Sequence, residues 1–166
     1  MISKNGVCAL FLLYLAVVSQ FNSFPSFRRD ASLYGLCIYC FQDFLRPPWM
    51  SFDMKVHHAL AMIMSFLALL YDDVEDKYIQ VFLQTEISTT FLVIRNYGIR
   101  HPLNEILFLL TFVYFRLYKI VQVILIVSYP TLSVPLSLYT TALGILGLNT
   151  YWASKIGMYA YHKWKR

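Results

Sequence analysis

Six apolar runs, parted by short polar or proline-bearing breaks, leave this chain few ways to fold. They extend from about Gly6 to Phe21, Ala31 to Leu45, Met54 to Tyr71, Tyr78 to Ile94, Asn104 to Tyr129 and Leu132 to Tyr161. A helix needs about 20 mostly apolar residues to cross a bilayer, and about 17 at the least. The first two runs are therefore marginal, while the last is long enough to tilt or to extend into the interface. Pro25, Pro47, Pro48, Pro102 and Pro130 stand in the breaks, where a missing backbone donor does least harm. The expectation is an all-α membrane protein of six transmembrane helices, a single domain over residues 1–166 without internal repeats. Lys4 followed by an apolar stretch and Ser19-Gln20 also suggests a secretory signal. No A-x-A-type cleavage site follows, so the first run is read as a retained span.

Composition supports a lipid environment. Hydrophobic residues make up 58% and charged residues 14%, against about a quarter charged in a typical soluble domain. Mean hydropathy is +0.55. Aromatics reach 17%, as expected where rings fill interhelical gaps and sit at headgroup level. A net charge of +5 would suit nucleic acid if it formed one stripe, but the basic residues lie between and beside the apolar runs. They read as an orientation signal, with no nucleic-acid partner. If six spans put both termini on one side, that side holds seven basic residues: Lys4, Arg46, Arg95, Arg100, Lys163, Lys165 and Arg166. The opposite side holds Arg28, Arg29 and Lys77 with the acidic loop Asp72 to Lys77. Both termini are therefore expected in the cytosol.

Cys8, Cys37 and Cys40 are three in number and lie inside apolar runs, which argues against a disulfide framework. Cys37 and Cys40 form a CxxC, but no second CxxC or nearby histidine accompanies it. The pair reads as small polarizable core residues rather than as a metal site.

Ionisable groups inside spans cost about 2.5 to 3.5 kcal/mol each at a helix centre and normally face the bundle interior. Here they recur. The third run opens "DMKVHHALAMIMS" with Asp53, Lys55, His57 and His58, and Asp53 lies four residues before His57, stacked on one helix face. The fourth carries Glu86 with Thr89 and Thr90 beside it, and the fifth carries Arg116 and Lys119, three apart. The sixth carries Asn149 and Trp152, again three apart. Each has a bland alternative: snorkelling for Asp53, Lys55 and Lys119, an interhelical hydrogen bond for Asn149, back-bonding for Ser88, Thr89 and Thr90. Two adjacent histidines with Glu86 and Arg116 on other spans point instead to a polar cavity.

Metal binding would suit two histidines and a carboxylate, but neighbouring residues on a helix diverge by about 100°, and helical metal pairs usually sit at i and i+4. No metal is expected. Acyl transfer fits better. An imidazole can attack a thioester or deprotonate the amine or hydroxyl that does so. Asp53 or Glu86 would fix its tautomer, and Arg116 could hold a phosphate or a developing negative charge. The catalytic candidates are thus His57, His58, Glu86 and Asp53, with Arg116 and Asn149 as substrate holders. Non-catalytic lipid binding by the same cavity, and a trafficking role in which the polar groups only specify packing, remain as alternatives.

At these residues the chain resembles the TLC domain of ceramide synthases and translocating-chain-associated membrane proteins, and within it the TLC domain-containing protein subgroup. "GLCIYCFQDF" resembles the family's Gly-to-aromatic-to-Asp helix, with Asp43 at the acidic position. "MKVHHALAMIMS" carries its His-His signature, and "TEISTTFLVIRNYG" is similar to the subgroup's Glu-Ile-Ser-Thr block followed by Phe-Leu and Arg95. "FVYFRLYKI" and "GLNTYWASKI" are similar to its Arg-bearing and Asn-x-x-Trp helices. The resemblance implies a six-helix membrane barrel around a lipid cavity, here without the family's extra N-terminal helix and homeobox-like region. It implies an acyl group passed from acyl-CoA to a sphingoid amine or lysolipid by the histidine pair, with Glu86 the single acid where ceramide synthases carry an Asp-rich helix. It further implies substrate binding by Asp43, Arg95, Arg116, Asn149 and Trp152, and no bound cofactor beyond acyl-CoA as co-substrate. Membrane lipids, a possible homodimer and residence in the endoplasmic reticulum complete what it carries.

Overall fold

The structure, a computed structural model, describes residues 14, 26–45, 51–71, 76–96, 101–127 and 135–165. The first apolar run apart from Tyr14, including Cys8, lies outside these residues, as do Lys4, Arg46, Arg100 and Arg166 and the side chains of Arg28, Arg95 and Lys163.

Among the described residues every element is helical. Helix α1 is Ser26–Phe44 and α2 is Phe52–Leu70, while α3 (Asp76–Gln84) and α4 (Glu86–Asn96) follow with only Thr85 between them. Helix α5, Pro102–Thr111, runs without a break into a π-helical stretch, Phe112–Lys119, and then α6, Ile120–Val127. Helix α7, Leu136–Trp164, closes the order.

Local chemistry explains the ends. Extended Ser51 precedes α2, whose first turn holds Asp53, where a carboxylate favours the positive end of the helix dipole. Pro102 opens α5 with its fixed φ and missing donor, and the Nδ1 of His101 accepts the Leu103 N–H at 3.2 Å as a cap. At Thr85 both the backbone N–H (3.1 Å) and the hydroxyl (2.7 Å) donate to the Phe82 carbonyl. A threonine that serves the backbone locally competes with the α ladder, so the run expected as one fourth span is two helices of 9 and 11 residues.

Packing joins α1 to α2, α2 to α7, α7 to α6 and the π-helical stretch, and α4 to α5. Leu33, Leu36 and Cys40 of α1, Ala61 and Ala68 of α2, and Ile79 and Leu83 of α3 share one buried cluster. Ile120, Ile124 and Ile145 form another between α6 and α7. Cys40 is thus a core residue, and the half-buried Cys37 points its thiol toward the Met62 carbonyl at 3.8 Å, as the core reading of the CxxC expects. Asn104 at the start of α5 donates to the Phe91 carbonyl of α4 at 3.2 Å. Asn104→Ala is expected to lower stability by about 1 kcal/mol, read as a modest fall in melting temperature.

Two helices are long and apolar enough to cross a membrane: Phe52–Leu70, 19 residues, and Pro102–Ile126, 25 residues. The six expected spans are not all of this kind. Helices α3 and α4 are too short individually, and α1 and α7 have the length without the apolarity, because polar residues are spread along them. The two that qualify bury only 28% and 22% of their most apolar windows, whereas a soluble core helix of that composition would be mostly buried. Ile63, Phe66 and Leu70 on α2, and Leu103, Ile106, Leu109 and Leu110 on α5, face outward, while His57, His58, Glu86, Ser88, Arg116 and Asn149 are buried. Apolar side chains thus face outward on these two helices, while buried polar groups share the interior with the apolar clusters.

Candidate functional site

The histidine pair begins α2's second turn, and adjacency sends its two rings to different neighbours. His57 meets Trp152 of α7 edge-on at 5.1 Å between centroids, and His58 lies against Tyr39 of α1 at 5.7 Å. The two imidazoles are themselves 5.7 Å apart. Both are buried, and neither Nδ1 has a hydrogen-bond partner among the described residues. The carboxylate of Asp43 faces His58, its Oδ2 standing 3.9 Å from His58 Nδ1. That is too long for a hydrogen bond and close enough for a direct electrostatic contact.

Arg116 occupies the π-helical stretch and is the hub of the interior. Its Nε donates to Ser88 Oγ at 2.6 Å and to the Thr85 carbonyl at 3.3 Å. Nη2 donates to Thr89 Oγ1 at 2.5 Å, and Nη1 to Asn149 Oδ1 at 3.4 Å. Asn149 closes a ring by donating from Nδ2 to the Arg116 carbonyl at 3.2 Å. Glu86 Oε1 lies 3.8 Å from Nη2, both side chains being 5% exposed. The Thr85 carbonyl that Arg116 takes also accepts the Ser88 hydroxyl at 2.9 Å, and Asn149 reaches the Arg116 carbonyl within the π-helical stretch. Irregular turns of this kind are frequent at functional sites. The guanidinium therefore clasps α4 and α7 to the π-helical stretch and sits between the Phe112 and Trp152 rings, 5.9 and 5.8 Å from their centroids.

Between these groups lies a partly open cavity of about 280 Å³. Leu36, Cys40, Leu92, Phe108 and Phe112 make its apolar wall, while His57, His58, Glu86, Ser88, Thr89 and Arg116 make its polar one. Trp152, Lys155 and Ile156 of α7, Met54 of α2 and Tyr39 of α1 complete the lining.

Five candidates from the sequence, His57, His58, Glu86, Arg116 and Trp152, thus border one space. Asn149 holds Arg116 rather than lining the cavity. Asp43 stands behind His58, a pairing the sequence reading missed because the two residues lie on separate helices. Arg95 cannot be placed, its side chain lying outside the described residues. Asp53 requires a correction. It does not orient a histidine: its Oδ2 accepts the Trp152 indole N–H at 2.8 Å and lies 3.6 Å from Lys155 Nζ. Side chains lean toward a helix's N-terminus, so a first-turn residue reaches past the site to α7. Arg116 and Lys119 part company too. A π turn breaks the i, i+3 alignment, and Lys119 sits over the Tyr114 ring at 5.6 Å. Lys155, absent from the candidates, continues the Asn149–Trp152 stripe by three more residues; extending that spacing would have found it. Among the described residues no three His, Cys, Asp or Glu side chains are grouped to hold a metal ion.

Asp53→Ala removes the indole's acceptor at a carboxylate 22% exposed, where water can partly replace it. A loss of about 1 kcal/mol is expected, with Asp53→Asn, which keeps an acceptor oxygen, losing less. Melting temperatures of the two variants check this.

No family model, curated protein or solved structure matches this chain.

Proposed function

We propose that this chain is a multi-pass membrane protein of lipid metabolism with a TLC-type six-span architecture, acting as an acyl-CoA-dependent lipid acyltransferase. The observation that carries the reading is the meeting of the two histidines from α2 with an apolar wall inside one open cavity, backed by Asp43 behind His58. In that arrangement the acyl tail lies along Leu36, Leu92, Phe108 and Phe112. One imidazole accepts the proton of the attacking amine or hydroxyl as its nitrogen or oxygen bonds to the thioester carbon. The C–S bond then breaks, and the thiolate of coenzyme A leaves with a proton returned by the imidazolium. Asp43 stabilises the cation formed between these events. A sphingoid base or a lysolipid supplies the acceptor.

The outward apolar faces of α2 and of α5 through α6 support membrane crossing. Helices α3 and α4 act together as one interrupted span, their break covered by the Arg116 clasp, as irregular backbone inside a bilayer requires. Both termini face the cytosol, and the endoplasmic reticulum is the proposed residence.

A second reading, a non-catalytic regulator that binds lipid and sets membrane phospholipid composition or fluidity, is favoured by one feature. Glu86 is matched to Arg116, and among the described residues no carboxylate reaches hydrogen-bond distance of either histidine Nδ1. Lipidomics of cells making the intact chain beside His57→Ala plus His58→Ala, with labelled acyl-CoA added to their membranes, separates the two. Label moved to lipid by the intact chain only supports catalysis. A changed lipid profile with no label moved by either supports the regulator.

A further inference from the structure

The cavity holds two cations with opposite circumstances. Arg116 is 4% exposed and spends its guanidinium on Ser88, Thr85, Thr89 and Asn149, with Glu86 cancelling its charge. Lys155 lines the same cavity with a side chain 49% exposed. Its ion pair with Asp53, at 3.6 Å, joins a half-exposed ammonium to a carboxylate 22% exposed, and the pairing is weakened by solvent on the lysine side. The Asp53 oxygen concerned already accepts the Trp152 indole N–H at 2.8 Å. An ammonium offers three donors; this one also lies over the Tyr151 ring, 4.4 Å from its centroid, on a half-exposed side chain that borders the cavity. Lys155 is one helical turn beyond Trp152, whose ring touches His57 at 5.1 Å. An anion on Lys155 would therefore be about one turn, roughly 5 Å, from the indole that flanks the buried, unpartnered Nδ1 of His57.

We infer that Lys155, and not Arg116, is the anion-recognising residue of this site, and that its ligand is an amphiphile whose phosphate rests on Lys155 while its apolar chain enters the cavity. The inference rests on the reading of the cavity as a lipid site. The phosphate belongs either to a lipid headgroup or to the nucleotide part of an acyl thioester, which present the same chemistry to the ammonium.

The test is direct binding by the full chain in nanodiscs, without turnover, of three probes with equal sixteen-carbon chains: palmitoyl-CoA, 1-palmitoyl lysophosphatidate and palmityl alcohol. The phosphate-bearing probes are expected to bind about tenfold more tightly than the alcohol. Lys155→Gln should abolish that margin while leaving the alcohol unchanged, and Lys155→Arg should keep it. An advantage confined to palmitoyl-CoA assigns the phosphate to the nucleotide; one shared with or confined to lysophosphatidate assigns it to the lipid headgroup. Alcohol binding as tight as that of the other probes, or an equal effect of Lys155→Gln on all three, overturns the inference while the lipid cavity stands. Binding of none of the three overturns both. Failure of acyl transfer alone leaves this inference intact.

Discussion

Arg116→Leu is expected to lower the melting temperature of the protein by roughly 6–20 °C, corresponding to a loss of about 3–5 kcal/mol. Removing one member of a buried ion pair strands the other, and here Glu86 would lose its countercharge at 5% exposure. Ser88 Oγ, the Thr85 carbonyl, Thr89 Oγ1 and Asn149 Oδ1 would lose their donor at the same time. Arg116→Lys should recover only part of the loss. An ammonium keeps the countercharge for Glu86, but three donors radiating from one atom cannot reach acceptors spread over α4 and α7 as a planar fork does. Arg116→Leu combined with Glu86→Leu should be less harmful than Arg116→Leu alone, since no buried charge then remains. Thermal unfolding of the purified protein in detergent, followed by size-exclusion, measures all three. A melting temperature unchanged in Arg116→Leu would show that the clasp does not hold α4, α7 and the π-helical stretch together.

His57→Ala with His58→Ala is expected to reduce acyl transfer by about 10²- to 10⁴-fold, the range that a positioned general base supplies. The single variants discriminate between the two rings. His58 has Asp43 behind it at 3.9 Å, whereas His57 has the Trp152 ring at 5.1 Å and no facing carboxylate among its described contacts. If the imidazole that takes the proton must carry positive charge during the reaction, His58 is the better placed, and Asp43→Asn should reproduce part of the loss. His57→Ala should instead reduce rate through the packing of Trp152, with a larger effect on KM than on kcat. The readout is label moved from acyl-CoA to lipid in membranes carrying equal amounts of protein. Transfer at the intact rate by the double variant would remove the acyltransferase reading and leave the lipid-binding one.

Part of the site was legible in the sequence because buried ionisable residues are expensive in an apolar run, so each one that persists there announces a reason. His57, His58, Glu86 and Arg116 stand out on that ground alone, and all four border the cavity. Periodicity also placed Asn149 and Trp152 on one side of α7, toward the same interior. It failed where the helix was not an α-helix. A rule based on 3.6 residues per turn puts Lys119 beside Arg116, but the π turn from Phe112 to Lys119 separates them. It failed again at Asp53, where i, i+4 stacking pointed to His57 while an indole N–H on a distant helix offered the carboxylate a stronger partner.

What the sequence alone determined was the helical class, the apolar outer faces of α2 and α5, and the identity of the polar residues that must turn inward. These follow from composition and spacing, which are local properties of the chain. Which acid meets which histidine, that Arg116 is committed to Ser88, Thr89 and Asn149, that Thr85 divides an apolar run into two helices, and that Lys155 borders the cavity were decided only by the tertiary structure. Each depends on a contact between residues 15 to 99 positions apart or on a backbone hydrogen bond diverted by its neighbours, and pairwise distances of that kind leave no periodic trace along a single sequence.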